Sequence, residues 1–159
     1  MPGKDVDLAV IGAGLSGCAL VAALRTHGWA GTIQLLEAGR GPGGRCATRR
    51  RRDDPLWRLD HGSPTLSFQS EPQGQLRELI RSLEQRGVLR VDDEPVVGLD
   101  HHGAAVEPPD HPLLRGPRWR GIPTMATVAE TLLADGSDGV DVRFLSLIHI
   151  SEPTRRYRI

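Results

Sequence analysis

The hexapeptide Gly12-Ala13-Gly14-Leu15-Ser16-Gly17 constrains this chain more than any other feature, because of what flanks it. Before it, Asp7-Leu8-Ala9-Val10-Ile11 is a continuous apolar run that reads as a short buried strand of a parallel sheet. After it, Leu15 to His27 reads as a helix whose small-residue face (Leu15, Cys18, Ala19, Ala22, Ala23) can lie close to a sheet, with Gly28 placed to stop it. Thr32 to Leu36 is a second strand, ending at Glu37. A strand–helix–strand unit of about 30 residues favours a right-handed crossover and a parallel pair. In that context Gly12 permits the tight turn, Gly14 lets backbone approach a diphosphate, and Gly17 allows the helix to pack on the strand. The helix start offers unpaired N–H groups and partial positive charge to an anion. Glu37, 20 residues after Gly17, can accept both hydroxyls of an adenosine ribose and would repel a 2′-phosphate. The predicted chemistry is dinucleotide binding; the bland alternative is a glycine-rich turn in an unrelated α/β protein.

A second glycine loop follows at once: Gly39-Arg40-Gly41-Pro42-Gly43-Gly44-Arg45-Cys46-Ala47-Thr48. A plain nicotinamide dehydrogenase has no need of it. The order of Glu37 and this loop resembles the flavin-dependent amine oxidase superfamily, in which a Gly-Gly-Arg-x-x-Ser/Thr loop follows the ribose-binding glutamate. Asp60-His61-Gly62-Ser63 resembles the Asp-x-Gly-Ala segment of the same superfamily, with Ser63 in place of alanine. The stretch from Trp119 to Ala126 is similar to the Gly-(Val/Ile)-Pro-Gly-Met element of renalase-like oxidoreductases, with Thr124 where glycine is usual. The resemblance covers nearly all of residues 6–144 and is strongest over 7–48 and 119–144.

That resemblance implies FAD as cofactor, held by Gly12, Ala13, Gly14, Leu15, Ser16, Gly17, Glu37, Ala38, Gly44, Arg45, Thr48 and Gly62. Arg45 would supply charge at the diphosphate; its other reading is a solvated loop cation. His61 is expected to line the site through its backbone rather than act as a base. The implied activity is that of an FAD-dependent oxidoreductase passing hydride from a small substrate, a dihydronicotinamide isomer or an amine, to flavin and then to oxygen. No catalytic residue is assigned. A non-catalytic dinucleotide-binding module is the alternative from a different class.

The remaining chain carries weaker signals. Gly 19 and Pro 12, with aromatics at 4%, predict abundant loop, and Ala38 to Ser70 reads mostly as loop. Within it, Arg49 to Arg52 is expected to be neutralised by Asp53 and Asp54. Gln73 to Arg86 predicts an amphipathic helix through Leu76, Leu79, Ile80 and Leu83, stopped by Gly87. Val88–Val91, Val96–Leu99 and Ala104–Val106 predict short strands, the last two joined by a turn at Asp100-His101-His102-Gly103. Glu107 to Arg118 reads as irregular, Pro123 as the first residue of a helix running to Ala134, and Val140 to Phe144 as a third parallel strand.

The expected fold class is therefore α/β. A Rossmann-like FAD-binding βαβ unit with flavin-contact loops occupies 6–70, the start of an inserted antiparallel-sheet substrate domain 71–118, and a return helix with the third parallel strand 119–144. Residues 145–159 read as the translation of a sequencing adapter, with a natural strand as the alternative. The natural protein is then expected to continue past Phe144, this being a truncated chain. Such a fragment is expected to leave apolar sheet faces uncovered, to bind FAD poorly, to aggregate and to be inactive by itself.

Charge narrows the partners. Lys+Arg 20 balance Asp+Glu 20, which removes the electrostatic case for nucleic acid or an acidic membrane. No apolar run approaches the roughly 20 residues of a spanning helix, and the N-terminus lacks the basic-then-apolar order of a secretory signal. The expectation is a cytoplasmic protein acting on a small molecule, with no metal and with its oligomeric state open. Two cysteines are too few for a disulfide scaffold. Cys18 is expected to pack on the helix face, whereas Cys46, beside Arg45, reads either as packing or as a reactive thiol. Trp57, Trp119 and Phe68 are expected in the core.

Overall fold

The computed structural model describes residues 5–54 and 56–146; residues 147–159 of the expected adapter-like tail lie outside the described residues. In chain order the first elements are β1 (Leu8–Ile11), α1 (Leu15–Thr26), β2 (Ile33–Leu36), a 3-10 turn (Gly44–Cys46), β3 (Thr48–Arg50), β4 (Arg58–Asp60) and β5 (Leu66–Ser67). They are followed by α2 (Gly74–Gln85), β6 (Leu89–Val91), β7 (Gly98–Leu99), β8 (Ala105–Val106), α3 (Pro112–Arg115), β9 (Arg118–Gly121), α4 (Met125–Asp135) and β10 (Val140–Arg143).

The first sheet is parallel, in the order β1-β2-β10. Its register aligns Leu8, Ile33 and Val140 across the three strands, and Val10, Leu35 and Val142 two residues on. Because side chains alternate along a strand, these six residues share one face. Helices α1 and α4 cover it: Cys18, Val21, Val128, Ala129 and Leu132 belong to the same core as Ile33 and Leu35. The third parallel strand therefore stands where the apolar run after Gly139 indicated. The other face carries Ala9, Ile11, Gln34, Leu36, Asp141 and Arg143, and Ile11 is 70% exposed. The reading of β1 as a fully buried strand is corrected here. Val10 is buried, but the strand lies at an edge of the described sheet and only one face is covered by helices.

Beside this unit lies a second, antiparallel sheet in the order β5-β9-β6. Its central strand is Arg118–Gly121, which begins at the last residue of the stretch Glu107 to Arg118 that reads as irregular and continues into a segment for which the sequence predicts no strand. The alternation that marks it is nevertheless present: Trp119 and Gly121 are buried while Arg118 and Arg120 point to the partly exposed side. Arg120 pairs with Asp92 (3.2 Å), so the charges that obscured the strand are neutralised across it. Phe68 packs edge-on against Trp119 at 5.7 Å, as expected of core aromatics. Trp57, by contrast, is 36% exposed, which corrects its assignment to the core.

The stretch from Ala38 to Ser70 is more ordered than its composition indicates, holding the 3-10 turn and the antiparallel ribbon β3–β4. On helix α2, Ile80 and Leu83 of the predicted apolar face are each 2% exposed, whereas Leu76 of the same face is 44% exposed. Helix α4 begins at Met125 rather than Pro123; Thr124 is its N-cap residue, and the Ile122–Pro123 peptide bond is cis. At His101-His102 the turn is closed by Asp100, whose Oδ1 accepts the His102 and Ala104 N–H groups (2.9 Å each). Beyond β10 the chain crosses the end of β2: the Leu145 N–H donates to the Gly39 carbonyl and the Ser146 N–H to that of Glu37, both at 3.0 Å.

Candidate functional site

The first glycine turn leaves the C-terminal end of β1, where the Gly12 N–H donates to the Leu36 carbonyl (2.7 Å) and ties the turn to β2. Gly14 is the N-cap of α1 and supplies no side-chain cap; the first turn of the helix contains no acidic residue. The N–H groups of Leu15, Ser16 and Gly17 precede the first intrahelical bond, which Cys18 donates to the Gly14 carbonyl at 3.0 Å. A Cβ at Gly17 would lie 2.1 Å from the Gly12 carbonyl oxygen, so only glycine lets the helix start this close to the turn.

Glu37 closes the opposite end of the turn. Its Oε2 accepts the Ala13 N–H (2.7 Å) and its Oε1 the Gly39 N–H (2.6 Å). A carboxylate has about four acceptor positions, so two stay open for hydroxyl donors. Ala38, next in the chain, is exposed.

The second glycine loop is sewn to the first. The Gly43 N–H donates to the Ala13 carbonyl (2.8 Å), and Gly14 and Gly43 form a parallel bridge. A Cβ at Gly44 would sit 3.1 Å from the Gly14 Cα. Arg45 follows, exposed, and no ion pair involving it is found among the described residues. The next residue turns inward. Cys46 is 6% exposed, and its thiol is pushed up by burial, an effect that outweighs the lowering by Arg45. The reading of Cys46 as a reactive thiol is thereby corrected: the charge is adjacent in sequence, but desolvation dominates. Cys18 is fully buried and packs as expected, with its thiol raised to about 11 by burial and, secondarily, by Glu37.

A cleft of about 660 Å³ opens in front of these loops. Of the residues indicated by sequence, Gly12, Gly14, Leu15, Ser16, Gly17 and Arg45 line it. Ala13 is buried beneath the turn, with no exposed surface. Gly44 lies at the crossing of the two loops, against Gly14. The Thr48 hydroxyl donates to Asp60 Oδ1 (2.5 Å) and accepts the Ala126 N–H (3.1 Å). Gly62 packs behind Arg45: a Cβ there would meet the Arg45 carbonyl oxygen at 2.0 Å. His61 is exposed and is not among the residues lining the cleft. Sequence reasoning missed much of the rest of the lining, including Ser63, Thr65 and Ser67 on one side and Leu76, Leu79, Ile80 and Leu83 of α2 on the other. The apolar spacing of α2 was visible, but nothing in it tells a core-facing leucine from a cleft-facing one. Arg45 and Cys46 are the titratable side chains of the lining among the described residues. No cluster of metal-ligating side chains occurs among them, and no helix is long and apolar enough to cross a membrane.

The arrangement suits a diphosphate joined to a ribose. The N–H groups of the first turn of α1, the Arg45 guanidinium, which has no ion pair among the described residues, and Gly44 packed tightly on Gly14 converge at one end, and an acceptor-rich carboxylate stands at the other.

Residues 10–83 match the family described as NAD(P)-binding Rossmann-like domain. No curated protein sequence matches the chain. Among solved structures, wild-type putrescine oxidase bound to putrescine is 24% identical over 68% of this chain and 22% of its own, with a TM-score of 0.41. The CLA-producing fatty acid isomerase from P. acnes is 20% identical over 67% of this chain and 23% of its own, at a TM-score of 0.40. The myxobacterial chondrochloren halogenase CndH, described as a variant of FAD-dependent halogenases, is 17% identical over 90% of this chain and 29% of its own, at 0.48. The chain thus spans less than a third of the length of each of these proteins. Its N-terminal part is a parallel Rossmann-like βαβ unit accompanied by an antiparallel-sheet region.

Proposed function

We propose that this chain is the dinucleotide-binding part of an FAD-dependent oxidoreductase that takes hydride from a small substrate, a dihydronicotinamide isomer or an amine, and passes it through flavin to oxygen. The observation that carries the reading is the junction of the two glycine loops. The Gly43 N–H bond to the Ala13 carbonyl sets Gly44 and Arg45 beside the uncapped start of α1. A single glycine turn suffices for a nicotinamide dinucleotide; a second loop bearing a cation is what the flavin superfamily resemblance implies. In this reading 6–70 is the cofactor unit with its flavin-contact loops, 71–118 begins a substrate domain, and 119–144 returns to the parallel sheet.

Each part of the site has a physical task. The N–H groups of Leu15, Ser16 and Gly17 donate to diphosphate oxygens, where the helix dipole favours negative charge. The Arg45 guanidinium neutralises the same group, and the free acceptor positions of Glu37 take the ribose hydroxyls. The α2 leucines exclude water from the cleft. FAD, when bound, supplies two-electron redox chemistry that the side chains lack.

Titration of the chain with FAD, followed by flavin fluorescence, tests the proposal. Arg45→Ala and Glu37→Ala are each expected to weaken binding about tenfold, from the 1.5–3 kcal/mol of a charged hydrogen bond discounted for solvent exposure. Absence of binding in the millimolar range, or affinity untouched by both substitutions, overturns it.

A further inference from the structure

The Thr48–Asp60 pair does more than close a ribbon. The two residues face each other in register at the end of β3–β4. The Thr48 hydroxyl donates to Asp60 Oδ1, and the Met125 N–H donates to both oxygens of the Asp60 carboxylate (3.1 and 3.2 Å). The Ala126 N–H donates to the Thr48 hydroxyl oxygen. The first two N–H groups of α4 are therefore satisfied from 65 and 78 residues away. A local cap was available, since Thr124 is the N-cap residue, yet its side chain makes no cap bond and its hydroxyl instead meets that of Thr127. Helix stability by itself asks only for an acceptor at this end. A distant acceptor also fixes the ribbon to the helix, and α4 is in turn locked to α1 through Val128, Ala129 and Leu132.

The ribbon's two strands lead directly to the second glycine loop. Thr48 lies three residues after Arg45 in sequence, and Asp60 two before Gly62. The Ser63 N–H donates to the Arg45 carbonyl (2.7 Å), and Gly62 lies flush on that carbonyl. The Gly43–Arg45 turn is thus held from behind by the ribbon and in front by the bond from Gly43 to Ala13. We propose that Thr48 and Asp60 are positioning residues of the dinucleotide site: through the start of α4 they set the turn bearing Gly44 and Arg45 against the phosphate-binding turn, and neither touches the ligand. The proposal rests on the dinucleotide reading of the site and gives Thr48 a different task from the cofactor contact its sequence motif implies.

The test uses the full chain with Thr48→Val, Thr48→Ser and Asp60→Asn. Amide hydrogen exchange is followed at Ala126, Gly43 and Ser63, and affinity is measured for ADP, which carries the adenosine ribose and the diphosphate without a flavin. Thr48→Val is expected to speed exchange at all three amides and to weaken ADP at least tenfold, with Thr48→Ser restoring both. Faster exchange confined to Ala126, with ADP affinity unchanged, overturns the proposal by reducing the pair to a helix cap. Weaker ADP binding with unchanged exchange overturns it as well, because Thr48 then contacts the ligand. Should Thr48→Val fail to fold, Asp60→Asn, which keeps an acceptor for Met125 without the charge, decides between the same outcomes. If the unsubstituted chain binds no ADP, the dinucleotide reading fails, while linked exchange at Gly43 and Ser63 still decides whether the pair sets the turn.

Discussion

The thiol of Cys18 points at the Ala13 carbonyl (3.4 Å) directly beneath the first glycine turn, with no exposed surface. Burial raises its pKa from the ordinary thiol value of 9 to about 11. The sign of the linked stability follows. The folded chain keeps a proton that the unfolded chain gives up, so this group's contribution is complete below about pH 9 and is lost as pH rises towards 11. Denaturant melts of the parent chain are expected to lose about 2–3 kcal/mol more than those of Cys18→Ala across that interval. Parallel pH profiles for the two chains would contradict a buried neutral thiol. The same residue-scale view explains why Cys46 resisted sequence reading. Its neighbour Arg45 is visible in the chain, whereas the burial of Cys46 at the end of the 3-10 turn is not.

At the scale of elements, the contact between α1 and α4 carries the parallel sheet. Leu132 is 2% exposed, and Val128 and Ala129 are fully buried against α1 and β2. The helices approach closely near Gly136, where a Cβ would lie 2.7 Å from the Ala22 nitrogen. Leu132→Ala leaves a cavity that such tight packing cannot collapse into, and is expected to lower stability by about 3 kcal/mol. Urea titration measures this directly, and a loss below 1 kcal/mol would mean that α4 is not part of the cooperative core. Exposed Arg50–Glu130 and Arg86–Asp135 pairs brace the outside of α4 at 2.6 Å each but, being open to solvent, contribute far less.

At the scale of the whole molecule, the parallel sheet has one face under helices and one bearing Ala9, Ile11 and Leu36 together with Gln34, Asp141 and Arg143. The apolar members lie on β1 and β2, and the polar ones on β2 and β10; Gln34 and Asp141 hydrogen-bond across them (3.3 Å). Among the described residues the outer edge of β1 has no partner strand, and such an edge beside the exposed Ile11 favours intermolecular pairing. Sedimentation velocity is expected to show association that increases with concentration in the 159-residue chain and is reduced by Ile11→Lys. A monomer at all concentrations would count against the expectation that this chain aggregates.

What was legible in the chain was local. Strand, glycine turn, helix and acidic end of β2 lie within 30 residues (8–37), and their spacing alone dictates a βαβ unit, because phosphate-binding turns depend on backbone geometry that glycine positions reveal. Helix α2 and the strand β10 were readable from apolar period for the same reason. What tertiary structure decided was every pairing across distance: that Trp119 centres a second sheet, that Trp57 stays in solvent, that the α2 leucines wall the cleft, and that Thr48 and Asp60 cap a helix starting at Met125. Burial and hydrogen-bond partners 65 or 78 residues away leave no periodic trace in a sequence, since they depend on where the folded chain returns and not on what stands next to each residue.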